Sequence, residues 1–137
     1  MKAVDTNVLA RFFIDDPNDE EAIRQRPAAI AAMSERVFVG ITVILEFEWV
    51  MRGFYGLGRE EVGKVMAALC DLSTVIVEDR DAVAAALAAH AEGLDFADAL
   101  HLARATRCQA FVTFDTRLCK RAEVIGITPV CEAPVAA

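Results

Sequence analysis

Ala110-Phe111-Val112-Thr113-Phe114, closed by Asp115, is the stretch on which the fold turns. So short an apolar run, rich in β-branched and aromatic residues, reads as a strand. The same grammar recurs in Lys2-Ala3-Val4 ended by Asp5, in Val37–Val39, in Val75–Val77 and more weakly in Thr128–Cys131. Helical stretches separate these runs. Asn18–Ser34 follows the turn-prone Asp15-Asp16-Pro17-Asn18, and Thr42–Tyr55 opens on a capping-type threonine and stops at Gly56 and Gly58. Arg59–Leu72, the alanine-rich Asp81–Ala91 ended by Gly93, Asp95–Arg107 and Thr116–Val124 complete the set. Strands alternating with helices predict βαβ units: an α/β fold around a central parallel sheet of about five strands. No internal repeat or linker divides residues 1–137, so a single domain is expected, with a loosely held tail after Pro129.

Composition agrees with this class. A chain of 137 residues can bury roughly two thirds of its unfolded surface. Its 55% hydrophobic content suits strands covered on both faces, with some apolar surface left for a partner. The strongest apolar run, Val37–Leu45, is well short of the about 20 helical residues that cross a bilayer. Asp5, Asn7 and Arg11 interrupt any signal-like core at the amino terminus, so no membrane is involved and a cytoplasmic protein is expected. Cys70, Cys108, Cys119 and Cys131 show no metal-ligand spacing and read as small core residues. The net charge of −7 argues against a protein that holds nucleic acid by bulk electrostatics. A nucleic-acid substrate would need a local site containing a cation.

Asp5, Glu46, Asp98 and Asp115 occupy equivalent places in this grammar. A helix that follows a parallel strand starts at the strand's carboxyl edge, where open α/β sheets bind ligands. Each of the four acids ends a strand or lies in the first turn or so of such a helix. Acids gathered on one edge repel one another unless a divalent cation neutralises them.

Each has a plainer reading. Asp5, before Thr6 and Asn7, could cap the next helix, and Asp115, before Thr116, could do the same. Asp95 and Asp98 have the spacing of a cap and its partner; Asp95 is read as the cap and Asp98 as the ligand, with shared or reversed roles left open. Glu46 falls on the arc of Val43, Phe47, Val50 and Phe54, taken as the core-facing side, whereas Glu48 stands four residues before Arg52 as a surface ion pair. Arg117, Lys120 and Arg121 form the compact basic cluster, either a solvated face or a phosphate contact. His90 and His101 are isolated, Trp49, Phe12, Phe13, Phe47 and Phe54 read as core or dimer surface, and the acidic run Asp15–Glu21 reads as a solvated loop.

The set Asp5-Thr6-Asn7-Val8-Leu9, Glu46 within Val43–Val50, Asp95-Phe96-Ala97-Asp98-Ala99-Leu100 and Thr113-Phe114-Asp115 resembles the PIN-domain family, and most of all its VapC-type ribonuclease toxins. The resemblance spans almost the whole chain in order. It implies that Asp5, Glu46, Asp98 and Asp115 are a catalytic, metal-binding quartet, with Asn7 and Thr113 as supporting polar residues. It also implies a three-layer α/β/α sandwich, dependence on Mg²⁺ or Mn²⁺, a homodimer, and inhibition by a small cognate antitoxin. The substrate would be structured RNA such as transfer or ribosomal RNA. Where some relatives carry a further acid just after the quartet, this chain has Arg117, which leaves room for a reduced or single-metal site.

Hard carboxylate oxygens without clustered His or Cys suit Mg²⁺ or Mn²⁺ rather than zinc. The alternative is a catalytically inactive PIN-like module that acts through protein contacts. A signalling receiver would want paired acids after the first strand, and a dehalogenase-like phosphatase an Asp-x-Asp there; Asp5-Thr6-Asn7 supplies neither.

Overall fold

A computed structural model describes residues 1–136. Five short strands alternate with seven helices among the described residues, and every strand pairing is parallel, so the chain is α/β. Hydrogen bonding groups the strands as three and two rather than as one sheet of five, and the chain divides into two compact units.

In the first unit, Met1–Arg80, strands β1 (Lys2–Ala3), β2 (Val37–Val39) and β3 (Val75–Val77) lie side by side in that order. Lys2 pairs with Val37, and Val37 with Val75. Parallel neighbours need long crossovers, and helices supply them. Helices α1 (Thr6–Phe13) and α2 (Glu20–Met33) connect the first two strands, α3 (Ile41–Gly53) and α4 (Arg59–Asp71) the next two. Val37, Val39, Val75 and Val77 are buried while Phe38 and Ile76 are half-buried, as expected of strands covered on both faces. The core of the unit is completed by Leu9, Met33, Ile44, Phe47, Met51, Val62, Met66 and Leu69.

The starts of these helices follow local chemistry. Asp5 caps α1, a helix that sequence reading admitted only as the segment Asp5 would cap. Asp19 accepts from the Glu21 and Ala22 amides, so part of the acidic run is a cap and first turn rather than a loop. Gly40, at the start of α3, has no side chain to offer. Glu78, just beyond β3, takes the Ile41 N–H at 2.8 Å instead.

The second unit runs from Asp81 onward. Helix α5 (Arg80–Ala91) leads into it, followed by α6 (Phe96–Ala103), β4 (Ala110–Val112), α7 (Thr116–Ile125) and β5 (Val130–Glu132). Strands β4 and β5 pair in parallel, Phe111 opposite Cys131, and α7 packs on β5. Three expectations shift here. Helix α6 stops at Ala103 instead of Arg107, because the polar segment from Arg104 to Gln109 folds into turns. Strand β4 ends at Val112, since the Thr113 hydroxyl bends the chain by accepting the Asp115 N–H at 3.0 Å. Of the stretch after Pro129, Val130–Glu132 is held as a strand by β4 and residues 133–136 belong to no strand or helix; Ala137, the end of that tail and of the single-domain span, lies outside the described residues. Among the described residues no helix is long and apolar enough to cross a membrane.

Candidate active site

The first unit holds Asp5 and Glu46. Asp5 follows β1 and accepts the Val8 N–H through Oδ1 at 3.1 Å, which satisfies one of the free amides of α1. That bond leaves Oδ2 available. The next residue, Thr6, is buried, and its hydroxyl donates to Oε1 of Glu46 on α3. Asp5 and Glu46 are both exposed, and Thr6 ties the helix of one to the side chain of the other.

The face of α3 differs from the expectation. Its buried residues are Ile44, Phe47, Glu48 and Met51, so Glu48 lies in the core stripe while Glu46 is exposed. The expected arc had been drawn through Phe54, which lies past the helix end as its C-cap and is 72% exposed. The remaining residues of that arc, Val43 and Val50, are half-buried, so α3 carries apolar residues on more than one arc and the buried one runs through Ile44 and Met51. The Glu48–Arg52 pair exists, at 2.9 Å, but Glu48 is buried rather than on the surface. Trp49 and Phe54 are exposed and Phe47 is core.

Asp5 and Asn7 line a cleft of about 350 Å³ between α1 and α2, together with Val8, Arg11, Gln25, Ala28, Ala29 and Ala32. Arg11 is held there by Gln25 Oε1 at 2.8 Å and by the Tyr55 hydroxyl at 3.2 Å. Sequence reading overlooked both Thr6 and Arg11. Thr6 carried a signal, a polar residue in helical register with Leu9 and Ala10; Arg11 carried one in its i,i+4 spacing from Asn7.

The second unit holds Asp98 and Asp115. Asp95 caps α6 by accepting the Asp98 N–H at 3.1 Å, and Asp98 lies in the first turn, half-buried. Asp115 caps α7 by accepting the Leu118 N–H at 3.0 Å, again through Oδ1 only. The Thr113 hydroxyl therefore positions the backbone of Asp115. Arg117, Lys120 and Arg121 are exposed on α7. His101 stacks on Phe111 with ring centroids 6.4 Å apart, and buried His90 packs edge-on to Phe96.

Burial pushes the Asp98 carboxyl above the usual carboxylate range, the charges of Asp95 and Asp115 push it further, and His101 opposes them. Its ionised form is therefore less favourable in the folded chain than in the unfolded one, and at neutral pH the ionised side chain subtracts from stability. The loss disappears once pH falls below the unfolded carboxylate pKa, where both states are protonated. In metal-free buffer Asp98→Asn is expected to raise the melting temperature at neutral pH, with the gain vanishing under acid conditions. Melting curves in EDTA across pH check this; an unchanged or lower neutral melting temperature would remove the repulsion from the account.

The donors fit a hard divalent cation: they are carboxylate oxygens, and Asp98 stands where a positive charge would be stabilised. Among the described residues no three or more His, Cys, Asp or Glu side chains are grouped to hold a metal. The cysteines correct another expectation. None is buried; Cys108 is exposed in the turns after α6, and the other three are half-buried.

The profile of the PIN domain matches residues 2–124 of this chain. The chain belongs to the PIN-domain family. No curated protein matches it. The matched span takes in Asp5, Glu46, Asp98 and Asp115, parts of both units and every strand except β5. PIN membership supports a nuclease-type hydrolase, and divalent cations are the usual cofactors of PIN nucleases.

Proposed function

We propose that this PIN protein is a metal-dependent endoribonuclease, the toxin of a VapBC-type toxin–antitoxin pair, in which Asp5, Glu46, Asp98 and Asp115 serve one reaction. The observation that carries the reading is the family match, whose span contains all four acids. Mg²⁺ or Mn²⁺ would be held by these carboxylates and would supply Lewis acidity that activates water and offsets charge on the phosphate. The residues themselves divide the work. Asp5 and Asp115 offer the oxygen not used in capping, Thr6 fixes the orientation of Glu46, and Thr113 fixes the backbone of Asp115. Asn7 and the anchored Arg11 line the cleft beside Asp5. Arg11 and the basic face of α7 supply local positive charge for phosphates in a chain of net charge −7. Structured RNA with accessible single-stranded loops, such as transfer or ribosomal RNA, is the substrate proposed. The protein would act in the cytoplasm as a homodimer, held inactive by a small antitoxin.

Exposed Trp49 and Phe54 favour a second reading, a PIN-like module that acts only through protein contacts. Incubation of total prokaryotic RNA with antitoxin-free protein in Mg²⁺, Mn²⁺ or EDTA separates the two. Discrete fragments in either cation and none in EDTA are expected. Intact RNA in every condition, with folded protein, would select the interaction module.

A further inference from the structure

Cys119 lies on α7 one turn after Asp115, and Cys131 is the middle residue of β5. Their sulfurs are 3.0 Å apart, both thiols are free, and both are half-buried. A disulfide closes at about 2.05 Å, so the two sulfurs need to approach by only about 1 Å. The surrounding frame is fixed on both sides: Cys131 sits opposite Phe111 in the β4–β5 ladder, and α7 packs on β5. Cys70, on α4, and Cys108, in the turns after α6, belong to other parts of the chain. The family match stops at residue 124, so Cys131 lies beyond it and the pair is a feature of this chain rather than of the matched span.

We propose that Cys119 and Cys131 form a reversible disulfide, a redox modification site that staples the last strand to α7. The oxidant is hydrogen peroxide, uncharged and so not repelled by the neighbouring acids. The thiolate of Cys119 attacks one peroxide oxygen; the O–O bond breaks and hydroxide leaves, taking up a proton to become water. Cys119 is then a sulfenic acid, oxidised by the two electrons that reduced the peroxide. The sulfur of Cys131 attacks the Cys119 sulfur, the S–O bond breaks, and the thiol proton of Cys131 leaves with the hydroxyl as a second water. Two thiols and one peroxide thus give one disulfide and two waters. Burial first, then the hydrogen bond with Cys119 and the charges of Cys119, Asp115 and Asp98, push the Cys131 thiol up to about 12. A raised pKa disfavours the Cys131 thiolate, in keeping with attack by Cys119 first. A dithiol reductant reverses the bond by exchange.

The test treats the folded, fully reduced chain with hydrogen peroxide at neutral pH, blocks remaining thiols, and maps peptides without reduction. The expected result is a single Cys119–Cys131 linked peptide, loss of two hydrogens from the intact mass, two of the four thiols still free, and recovery of all four on reduction. Cys131→Ser should leave a sulfenic acid at Cys119 that a carbon nucleophile such as dimedone captures, and Cys119→Ser should give neither product. Melting curves of both variants establish that they are folded. Random pairing that includes Cys70 or Cys108, over-oxidation of Cys119 without a link, or four free thiols after treatment would overturn the proposal.

Discussion

Asp5→Asn is expected to reduce metal-dependent RNA cleavage by roughly 10²–10³-fold, the range for loss of one preorganised charged or hydrogen-bonding group at a reacting phosphate or carbonyl. The substitution isolates charge from structure. Asp5 accepts the Val8 N–H through Oδ1, and an asparagine oxygen can accept the same bond, since Asn and Asp cap helices about equally well. The melting temperature should therefore barely move, whereas Asp5→Ala would lose the cap at about 1 kcal/mol and confuse the two effects. Initial rates in Mn²⁺, measured beside circular dichroism melts, give both readouts. A folded Asp5→Asn protein that cleaves at the wild-type rate would remove Asp5 from the reaction.

The second large effect is on stability, at a residue with no proposed part in the chemistry. Arg52→Ala leaves the Glu48 carboxylate, 2% exposed, without the guanidinium that meets it at 2.9 Å. Breaking a fully buried pair costs about 3–5 kcal/mol. The Arg52 side chain is 49% exposed, so water reaches this pair, and about 2 kcal/mol is the expected loss. Urea denaturation measures it as a lower midpoint at unchanged slope. Cleavage at temperatures where the variant is folded should stay near wild type. A stability change below about 0.5 kcal/mol, the usual surface value, would mean that water alone satisfies Glu48. Glu46→Gln is the mirror image, because Glu46 is exposed and linked to Thr6 rather than packed in the core.

The strands were legible in the sequence because β-branched residues gathered in short runs: Val37–Val39 and Val75–Val77 stand where they were expected. The ends of elements were less legible. Side chains elsewhere in the chain decide them, as Glu78 does for the start of α3, or a hydroxyl does, as Thr113 does for the end of β4. No periodicity in the element itself records such partners. Capping by Asp95 was readable from spacing alone, since the acceptor and its amide are three residues apart. The facing of α3 is not fixed by periodicity, because Val43 and Val50 on one arc and Ile44 and Met51 on the next are all apolar, and only the second arc is fully buried. Long-range partners such as Thr6 for Glu46 lie 40 residues apart and leave no local trace.

Because Asp5 and Asp115 each hold a helix end with the same carboxyl group proposed to hold the cation, the genetic route to an inactive protein is short and quiet. An aspartate codon becomes an asparagine codon by one G-to-A transition in its first base. At either position that change keeps the cap and the fold while removing the charge. Alleles of this kind would accumulate as full-length, well-folded protein that escapes proteolysis. Such protein would still occupy the antitoxin proposed above, so under that reading a silenced copy would release active siblings in the same cell.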